Sequence, residues 1–279
     1  MERLQAALQK ARAQREGGAA EAPRRKARGS VIPTRRRRSS VIDDVWQTLP
    51  ELEVNTDVWQ LHRLFAFKGG ADAAPFDLLR TKLLRLVRQH GWKRVAIISA
   101  NADAGKSTTV ANLALSFSRQ KDLRTFAVDF DLRRPSMARL LGQHLQTNMG
   151  QVIRGEVAFE QHVRRLGTNM GFAMNDLPVH QPAELLQSAR TAELIGHIEE
   201  KYSTDLILFD MPPMMVADDA HGFLRLVDAA LIVIEAEKTP LKQIDILERQ
   251  VADLTNVAGI VLNKCNYSDE YTGSYHDYY

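Results

Sequence analysis

The sequence predicts an α/β protein with a mostly parallel sheet and helices on both of its faces. Five short apolar runs, at residues 95–98, 125–128, 206–209, 230–234 and 259–262, are separated by stretches long enough to hold helices. Strands that are buried on both faces are apolar along their whole length, and parallel strands require crossover connections, which are usually helical. Ligands in such folds lie at the carboxyl ends of the strands.

One further helix is predicted ahead of the first strand. After Pro75, apolar side chains recur with a helical period, which predicts an amphipathic helix that ends near Gly91. These side chains are Phe76, Leu79, Leu83, Leu84 and Val87. A short helix is also predicted at residues 2–15, whereas residues 41–70 hold only scattered apolar side chains.

Charge divides the chain into a basic arm and a mildly acidic body. The 279 residues carry 37 Lys and Arg against 34 Asp and Glu. Residues 1–40 hold 12 basic and 3 acidic residues, a net charge of +9, which leaves 25 basic and 31 acidic residues, a net charge of −6, for residues 41–279. With almost nothing apolar to pack, the arm is predicted to be disordered. It is expected to contact an anionic membrane surface rather than nucleic acid, or to remain a solvated tail.

Three regions are therefore predicted: a basic, partly disordered N-terminal region at 1–70, an α/β domain at 71–265 and a tyrosine-rich tail at 266–279. The single cysteine, Cys265, excludes an intrachain disulfide framework and a cysteine-based zinc site. No apolar stretch approaches the ~20 residues of a membrane-spanning helix, and the N-terminus lacks the apolar core of a signal peptide. The chain is expected to be cytoplasmic unless a partner holds it at a membrane.

A phosphate-binding loop follows the first predicted strand. Residues 100–107 match G-x-x-x-x-G-K-[ST], except that Ala100 replaces the first glycine. A strand before the loop and a helix after it aim backbone N–H groups at one point. Lys106 is predicted to lie along the β- and γ-phosphates, and Ser107 to supply a hydroxyl oxygen to Mg²⁺. The other nucleotide-binding candidates of the loop are Ala102, Asp103, Ala104, Gly105 and Thr108. The Asp103 carboxylate would repel phosphate unless it points away.

Three acidic residues stand at the carboxyl ends of two further strands. Asp129 and Asp131 lie two residues apart, on the same face of an extended chain, and Asp210 follows the third strand. One carboxylate of the pair can hold a metal or its water shell while the other accepts a proton from an attacking hydroxyl. Each acid alone would also suit a helix cap, but three around one phosphate loop favour a catalytic site.

The C-terminal tail concentrates tyrosine. Five of the six tyrosines of the chain fall in its last thirteen residues, among small and acidic neighbours that cannot form a core. They are Tyr267, Tyr271, Tyr275, Tyr278 and Tyr279. Tyrosine rings are normally buried in large part, so a solvated cluster indicates a role other than packing. Each phenolic oxygen is a candidate phosphate acceptor, and the alternative is an aromatic or disordered end without chemistry.

These motifs resemble those of the bacterial tyrosine autokinases of capsular and exopolysaccharide synthesis, the BY-kinases. The resemblance spans about 200 of the 279 residues, from about Phe76 to the C-terminus. Its most specific motif is V-D-x-D-L-R-R-P at residues 128–135. The others are Gly-Lys-Ser at 105–107, P-x-E-L-L at 182–186, D-x-P-P at 210–213, a later acid at Asp219 and L-N-K at 262–264.

The resemblance implies a P-loop fold related to the MinD/ParA ATPases and ATP-dependent phosphorylation of the tyrosine cluster, usually on a neighbouring subunit of a ring-like oligomer. It implies ATP and Mg²⁺ as cofactors, with Lys106 and Ser107 on the phosphates and the metal. Asp129 and Asp131 would place the metal and activate the hydroxyl, Asp210 would orient the metal, and Asn263 would lie near the adenine. It also implies a transmembrane co-polymerase that stimulates the kinase and recruits it to the inner face of the plasma membrane.

The sequence departs from the BY-kinase pattern at several places. The phosphate loop lacks the usual proline and extra glycine, and Met211 replaces a small hydroxyl residue. The E-x-x-R-x-x-R positions, which serve subunit contact in the family, hold Ala74, Asp77 and Arg80. Two alternatives stay open: a MinD/ParA-like ATPase switch, although its second loop lysine is replaced by Asn101, and a degenerate nucleotide-binding scaffold.

Overall fold

The computed structural model describes residues 40–265, with side chains from residue 43 onward. The predicted helix at 2–15, nearly all of the basic arm, and the five tail tyrosines lie outside the described residues. Within them, no helix is both long enough and apolar enough to cross a membrane.

A seven-stranded sheet forms the centre of the fold and confirms the predicted class. Its strands are β1 (Arg94–Ile98), β2 (Thr125–Asp129), β3 (Arg164–Leu166), β4 (Met170–Ala173), β5 (Leu206–Asp210), β6 (Ala229–Glu235) and β7 (Asn256–Asn263). Their spatial order is β3-β4-β2-β5-β1-β6-β7, and every pairing except that of β3 with β4 is parallel. All five predicted strands are present.

Two short strands were not predicted from the sequence. β3 holds only three residues, two of them arginines, and none of the three is fully buried. β4 has four buried residues, one of which is Gly171. A Cβ atom at Gly171 would lie 2.2 Å from the ring of Phe126, so glycine is needed for the close approach of β4 to β2. The two arginines of β3 and the absence of any β-branched residue from β4 explain why the sequence does not indicate a strand at either segment.

Helices cover both faces of the sheet. In chain order they are α1 (Ser40–Gln47), α2 (Thr56–Leu61), α3 (Ala74–His90), α4 (Lys106–Ser118), α5 (Met137–Leu141), α6 (Met149–Arg154), α7 (Phe159–His162), α8 (Pro182–Leu186), α9 (Ala189–Lys201), α10 (Asp219–Phe223) and α11 (Leu241–Ala252). Helix α3 ends where the sequence predicts, because Gly91 adopts the left-handed conformation that closes a helix. Alternate residues of β1 enter opposite cores: Val95 and Ile97 pack on one face, and Ala96 and Ile98 on the other.

The segment from residue 43 to residue 70 packs onto the α/β core, so the predicted boundary at residue 70 does not coincide with a gap in the packing. The Trp46 ring stacks on Phe126 with centroids 4.8 Å apart, and its Nε1 donates a hydrogen bond of 3.0 Å to the backbone oxygen of Tyr202. Trp59 Nε1 donates in the same way to the backbone oxygen of Leu141. Both indoles are buried and contribute to the two cores.

Replacing Trp46 by Phe is expected to lower the free energy of unfolding by about 1–2 kcal/mol. The change removes the indole hydrogen bond, leaves the Tyr202 oxygen buried without it, and opens a small cavity against Phe126. Urea denaturation measures the difference, and Trp92→Phe is the control, since Trp92 is partly exposed and is expected to change stability by less than about 0.5 kcal/mol. Equal losses in the two variants would contradict the assigned role of Trp46.

Candidate active site

The candidate site lies at the carboxyl ends of β1, β2 and β5, which are adjacent in the sheet. In the register of the sheet, Asp210 is paired with Ile97 on one side and with Asp129 on the other. The phosphate loop leaves β1 at the same edge and enters α4 at Lys106. The strand order thus brings together the residues that the sequence predicts for one site.

Glycine is required in the loop only at its second motif position. Gly105 has φ +90°, and a Cβ atom there would lie 2.1 Å from Nδ2 of Asn263. Ala100 is buried with an ordinary negative φ, so the missing first glycine leaves no strain. The loop residue with an uncommon conformation is Asp103, at φ +61°, and its exposed carboxylate lies near Lys238. Its negative charge is therefore partly balanced.

Asp129, Asp131 and Asp210 form a buried acidic cluster beside Lys106. The Asp129 carboxylate accepts backbone N–H groups from Asp131, Ser136 and Met137 at 3.2–3.3 Å. The Asp131 carboxylate accepts the N–H of Arg134 at 3.1 Å. These bonds fix the loop after β2 around its two acids.

Burial raises the pKa of all three carboxyl groups. For Asp129 the largest cause is burial, followed by the charge of Asp210, and backbone N–H groups oppose the rise only in part. Burial raises the pKa of Asp210 to about 7, although the Lys106 charge and the Ser107 hydroxyl lower it. Burial also raises the pKa of Asp131, against the backbone N–H of Arg134 and the Lys106 charge. The cluster is short of positive charge.

The acidic cluster fits a divalent cation that arrives with a nucleotide. Both carboxylate oxygens of Asp210 are buried and form no hydrogen bond of normal geometry, even though the Ser107 hydroxyl lies near. No group of three or more His, Cys, Asp or Glu within residues 40–265 is arranged to hold a metal alone. Mg²⁺ is typically bound through one or two carboxylates and the phosphates of its substrate. The unpartnered oxygens of Asp210 therefore suit Mg²⁺ bound together with phosphate.

A cleft of about 890 Å³ opens over the phosphate loop. Of the predicted site residues, Ala102, Asp103, Gly105, Lys106, Ser107, Thr108 and Asp131 line it. Asp129, Asp210 and Ala104 are buried and do not line it. The walls also hold Arg133, Arg134, Arg139 and Lys264, which sequence reasoning did not assign to the site. Arg133 Nε lies 2.5 Å from Asp219, so the predicted later acid joins the loop after β2 to α10.

Two residues at the end of β7 hold the phosphate loop from behind. Asn263 Nδ2 donates to the backbone oxygen of Ala104 at 2.9 Å, and Lys264 Nζ donates to that of Asp103 at 2.6 Å. Lys264 also lies 3.2 Å from Glu235 at the end of β6. Asn263 is thus placed against the loop backbone, and its predicted role near the adenine stays a prediction. Sequence reasoning noted Lys264 only as part of a motif, because the contact depends on the path of the loop.

Replacing Lys264 by Met is expected to weaken nucleotide binding about two- to tenfold. The variant loses a charge-assisted hydrogen bond that holds Asp103 in its left-handed conformation, and partial exposure limits its contribution. Titration with a fluorescent ATP analogue measures the dissociation constant. Lys242→Met is the matched control, since Lys242 is exposed on α11 and does not line the cleft. Unchanged affinity in Lys264→Met would show that the loop is held without this bond.

The charges of α3 that depart from the family pattern are satisfied within the chain. Asp77 accepts hydrogen bonds from Arg80 at 3.2 Å, and also from Ser116 and Arg119. Arg80 donates to Ser116 on α4. The reversed charge at Asp77 therefore joins α3 to α4. Met211 is buried, with its N–H on the Ile97 oxygen, so a side-chain hydroxyl is not required there for packing.

Comparison with known proteins agrees with this geometry. Residues 95–278 match the family described as the CobQ/CobB/MinD/ParA nucleotide binding domain. The chain is also 30% identical, over 169 residues, to the tyrosine-protein kinase YwqD of Bacillus subtilis, and the match covers 60% of this chain and 70% of that protein. The chain belongs to the bacterial tyrosine-kinase branch of this family. The resemblance deduced from the motifs is thereby confirmed.

Several relatives in this bacterial tyrosine-kinase branch are much longer than the chain. The putative tyrosine-protein kinase AmsA of Erwinia amylovora is 30% identical over 219 residues, which cover 76% of this chain and 29% of AmsA. The succinoglycan biosynthesis transport protein ExoP of Rhizobium meliloti is 28% identical over 191 residues, which cover 66% of this chain and 23% of ExoP. The chain therefore spans about a quarter of these two proteins.

Solved structures of the tyrosine-kinase branch share the fold. The VpsO kinase domain superposes with a TM-score of 0.62 at 25% identity, covering 70% of this chain and 95% of that one. The kinase domain of Escherichia coli ETK gives a TM-score of 0.62 at 21% identity, covering 72% and 80%. MinD of Pyrococcus horikoshii, complexed with Mg-ADP, gives 0.53 at 20% identity, covering 63% and 72%. The last two similarities show the fold alone.

Proposed function

We propose that the chain is an ATP-dependent protein-tyrosine autokinase that phosphorylates its C-terminal tyrosine cluster and thereby regulates exopolysaccharide or capsule synthesis or export. The observation that carries the proposal is the buried acidic cluster set against Lys106 of a phosphate loop, in a chain related to tyrosine-protein kinases. The arrangement supports phosphoryl transfer from ATP to a hydroxyl group. The first acceptor tyrosine, Tyr267, stands two residues after the last described residue, Cys265.

The side chains divide the work of the transfer. Lys106 and the backbone N–H groups at the start of α4 bind the β- and γ-phosphates and balance their charge. Ser107, Asp129 and Asp210 would hold Mg²⁺, which neutralises charge on the phosphate oxygens. Asp131 is the proton acceptor, because it lines the cleft whereas Asp129 is fully buried.

The proposed transfer forms one bond to the γ-phosphorus and breaks another, and the proton of the tyrosine passes to Asp131. The tyrosine O–H gives its proton to the Asp131 carboxylate, and the phenolic oxygen forms a bond to the γ-phosphorus. The bond from that phosphorus to the bridging oxygen breaks, and ADP leaves with the electron pair. The raised pKa of Asp131 makes its carboxylate a better base than an exposed one, because burial destabilises the charged form.

Partners follow from the same proposal. Lys264, which lines the cleft, is two residues ahead of the tail in the sequence, and we expect the tail to reach the site of its own chain or that of a second copy in a homo-oligomer. Relatives named as tyrosine kinases and as a polysaccharide transport protein support a transmembrane co-polymerase as activator. Such a partner, together with the basic arm on anionic lipid, would recruit the chain to the inner face of the plasma membrane.

The decisive experiment is mass spectrometry of the tail. The purified chain, incubated with Mg-ATP and with the activator where needed, is expected to gain a ladder of phosphates on the peptide that holds Tyr267 to Tyr279. A chain in which these five tyrosines are Phe is the control and gains none there. If the tail stays unmodified while ATP is hydrolysed, the result would contradict the kinase function and support an ATPase switch. No turnover of any kind would support a nucleotide-binding scaffold.

A further inference from the structure

We propose that Arg139, on the wall shared by the cleft and a neighbouring groove, selects acceptor tyrosines that follow an acidic residue. The proposal rests on the kinase function above and deepens it, because it names the class of acceptor sequence. The acceptor groove, as we call it, is a cavity of about 360 Å³ formed by Pro135, Arg139, Gly142, Gln143, His144, Asn175 and Asp176.

Arg139 stands where the two cavities meet. Among the described residues, Pro135 and Arg139 alone line both the cleft and the acceptor groove, and no residue of the phosphate loop lines the groove. Arg139 therefore lines the same cleft as Asp131 and also the groove beside it. Because the groove contains no phosphate-loop residue, Arg139 borders both the nucleotide cleft and a space in which a ligand other than the nucleotide can lie.

Its charge has no partner within the part of the chain that the structure describes. The exposed side chains of Arg134 and Arg139 form no ion pair or hydrogen bond with residues 40–265, whereas Arg133 is held by Asp219 and Asp218. The charge of Arg134 acts on Asp131, where it opposes in small part the rise in pKa that burial causes. The acceptor groove itself contains one acid, Asp176, which lies 3.5 Å from His144 and accepts the N–H of Leu145. Arg139 is thus available to an incoming carboxylate.

The tail has the complementary charge. Residues 266–279 contain Asp269, Glu270 and Asp277 but no Lys or Arg. Two acids stand directly before Tyr271, and one stands directly before Tyr278. Consecutive residues of an extended chain are 3.3–3.6 Å apart, so an acid one or two positions ahead of the acceptor lies within reach of a long arginine side chain. Tyr267 and Tyr275 follow uncharged residues and lack this contact.

The acceptor order is therefore unequal. We expect Tyr271 to be phosphorylated initially about three- to tenfold faster than Tyr275, and Tyr278 about two- to fivefold faster, as one or two partly exposed charge pairs allow. Arg139→Gln should bring these ratios close to one, while Arg139→Lys should retain most of the preference. Combining Arg139→Gln with Asp269→Asn, Glu270→Gln and Asp277→Asn should cause no further change, because both sets remove the same interaction.

The test follows phosphate at each tyrosine of the full chain over time by peptide mass spectrometry. Arg88→Gln is the matched control, since Arg88 is exposed at the end of α3 and lines neither cavity. Equal initial rates at the tyrosines, or a preference that survives in Arg139→Gln, would overturn the inference and leave the kinase intact.

A binding measurement separates this inference from the kinase function. Fluorescence anisotropy of a labelled peptide with the sequence of residues 266–279 needs no turnover. The full chain is expected to bind it more tightly than a peptide with its three acids neutralised, and Arg139→Gln should abolish that difference. Arg139-dependent binding without phosphorylation would support the groove and reject the kinase. Binding insensitive to Arg139 and to the acids would reject the groove.

Discussion

Replacing Lys106 by Met is expected to reduce tail phosphorylation about a hundred- to a thousandfold. Lys106 is buried at the start of α4 and lines the cleft, so its ammonium group acts where solvent screens it least. Loss of one charged donor that stabilises developing negative charge in such a site costs about this much in rate. Met fills a similar volume, which keeps the packing around the first turn of α4.

The loss should be chemical rather than structural. The Lys106 charge opposes the rise in the pKa of Asp131 and Asp210, so the variant leaves a smaller fraction of Asp131 ionised as a base, in addition to losing the phosphate contact. Initial rates of tail phosphorylation measure the chemical loss, and thermal unfolding of the same variant measures any loss of stability. The control is Lys82→Met, an exposed position on α3 away from the cleft. A Lys106→Met chain that keeps a tenth of the rate would show that another cation neutralises the phosphates.

The second large effect is a gain in stability when Asp210 becomes Asn, coupled to loss of activity. Burial raises the pKa of Asp210 from 3.8 to about 7, so the folded protein retains a proton that the unfolded chain releases above pH 4. The contribution of Asp210 to the free energy of unfolding is largest below the pKa of the unfolded chain, and it decreases as the pH rises from about 4 to about 7. At 1.36 kcal/mol per pKa unit, the loss has an upper limit of about 4 kcal/mol.

Asn carries no titrating charge, so the advantage of the variant should grow with pH. Without Mg²⁺ or nucleotide, the free energy of unfolding of Asp210→Asn, relative to that of the original chain, is expected to increase by about 1–3 kcal/mol as the pH rises from 5 to 8. Urea denaturation at each pH measures the difference. Asp228→Asn is the control, and it is expected to lower the free energy of unfolding, because the Asp228 carboxylate accepts the N–H groups of Lys93 and Arg94 at 2.7 and 2.8 Å. A gain that is independent of pH would refute this electrostatic account.

The core strands and the meeting of the acids were predictable from sequence for a simple geometric reason. Parallel strands end at one edge of the sheet, so Lys106, Asp129 and Asp210 converge once their strands are recognised. The packing of Trp46 was not predictable, because its partner Tyr202 lies 156 residues away and the intervening sequence does not indicate the contact. For that reason the sequence places residues 41–70 in the N-terminal region rather than in the α/β domain.

Contacts that depend on the path of a loop could not be predicted from the sequence either. Lys264 reaches Asp103 only because β7 lies next to β6 and ends beside the phosphate loop. Arg139 joins the cleft because the chain turns at Pro135 and begins α5 over the site. Neither contact is indicated by a periodic pattern in the sequence, and both are evident only in the folded structure.

The position of β1 also decides when the nucleotide site can first form during synthesis of the chain. This central strand pairs with β5 and β6, so Arg94 finds its partner Ile207 only after 113 further residues have been made. At about 5–20 residues per second, that interval lasts roughly 6 to 23 s. For most of it the phosphate loop at residues 100–107 has been translated, but β1 lacks both of its partner strands. The nucleotide site is therefore expected to form late in folding, once β7 has brought Asn263 and Lys264 to the loop.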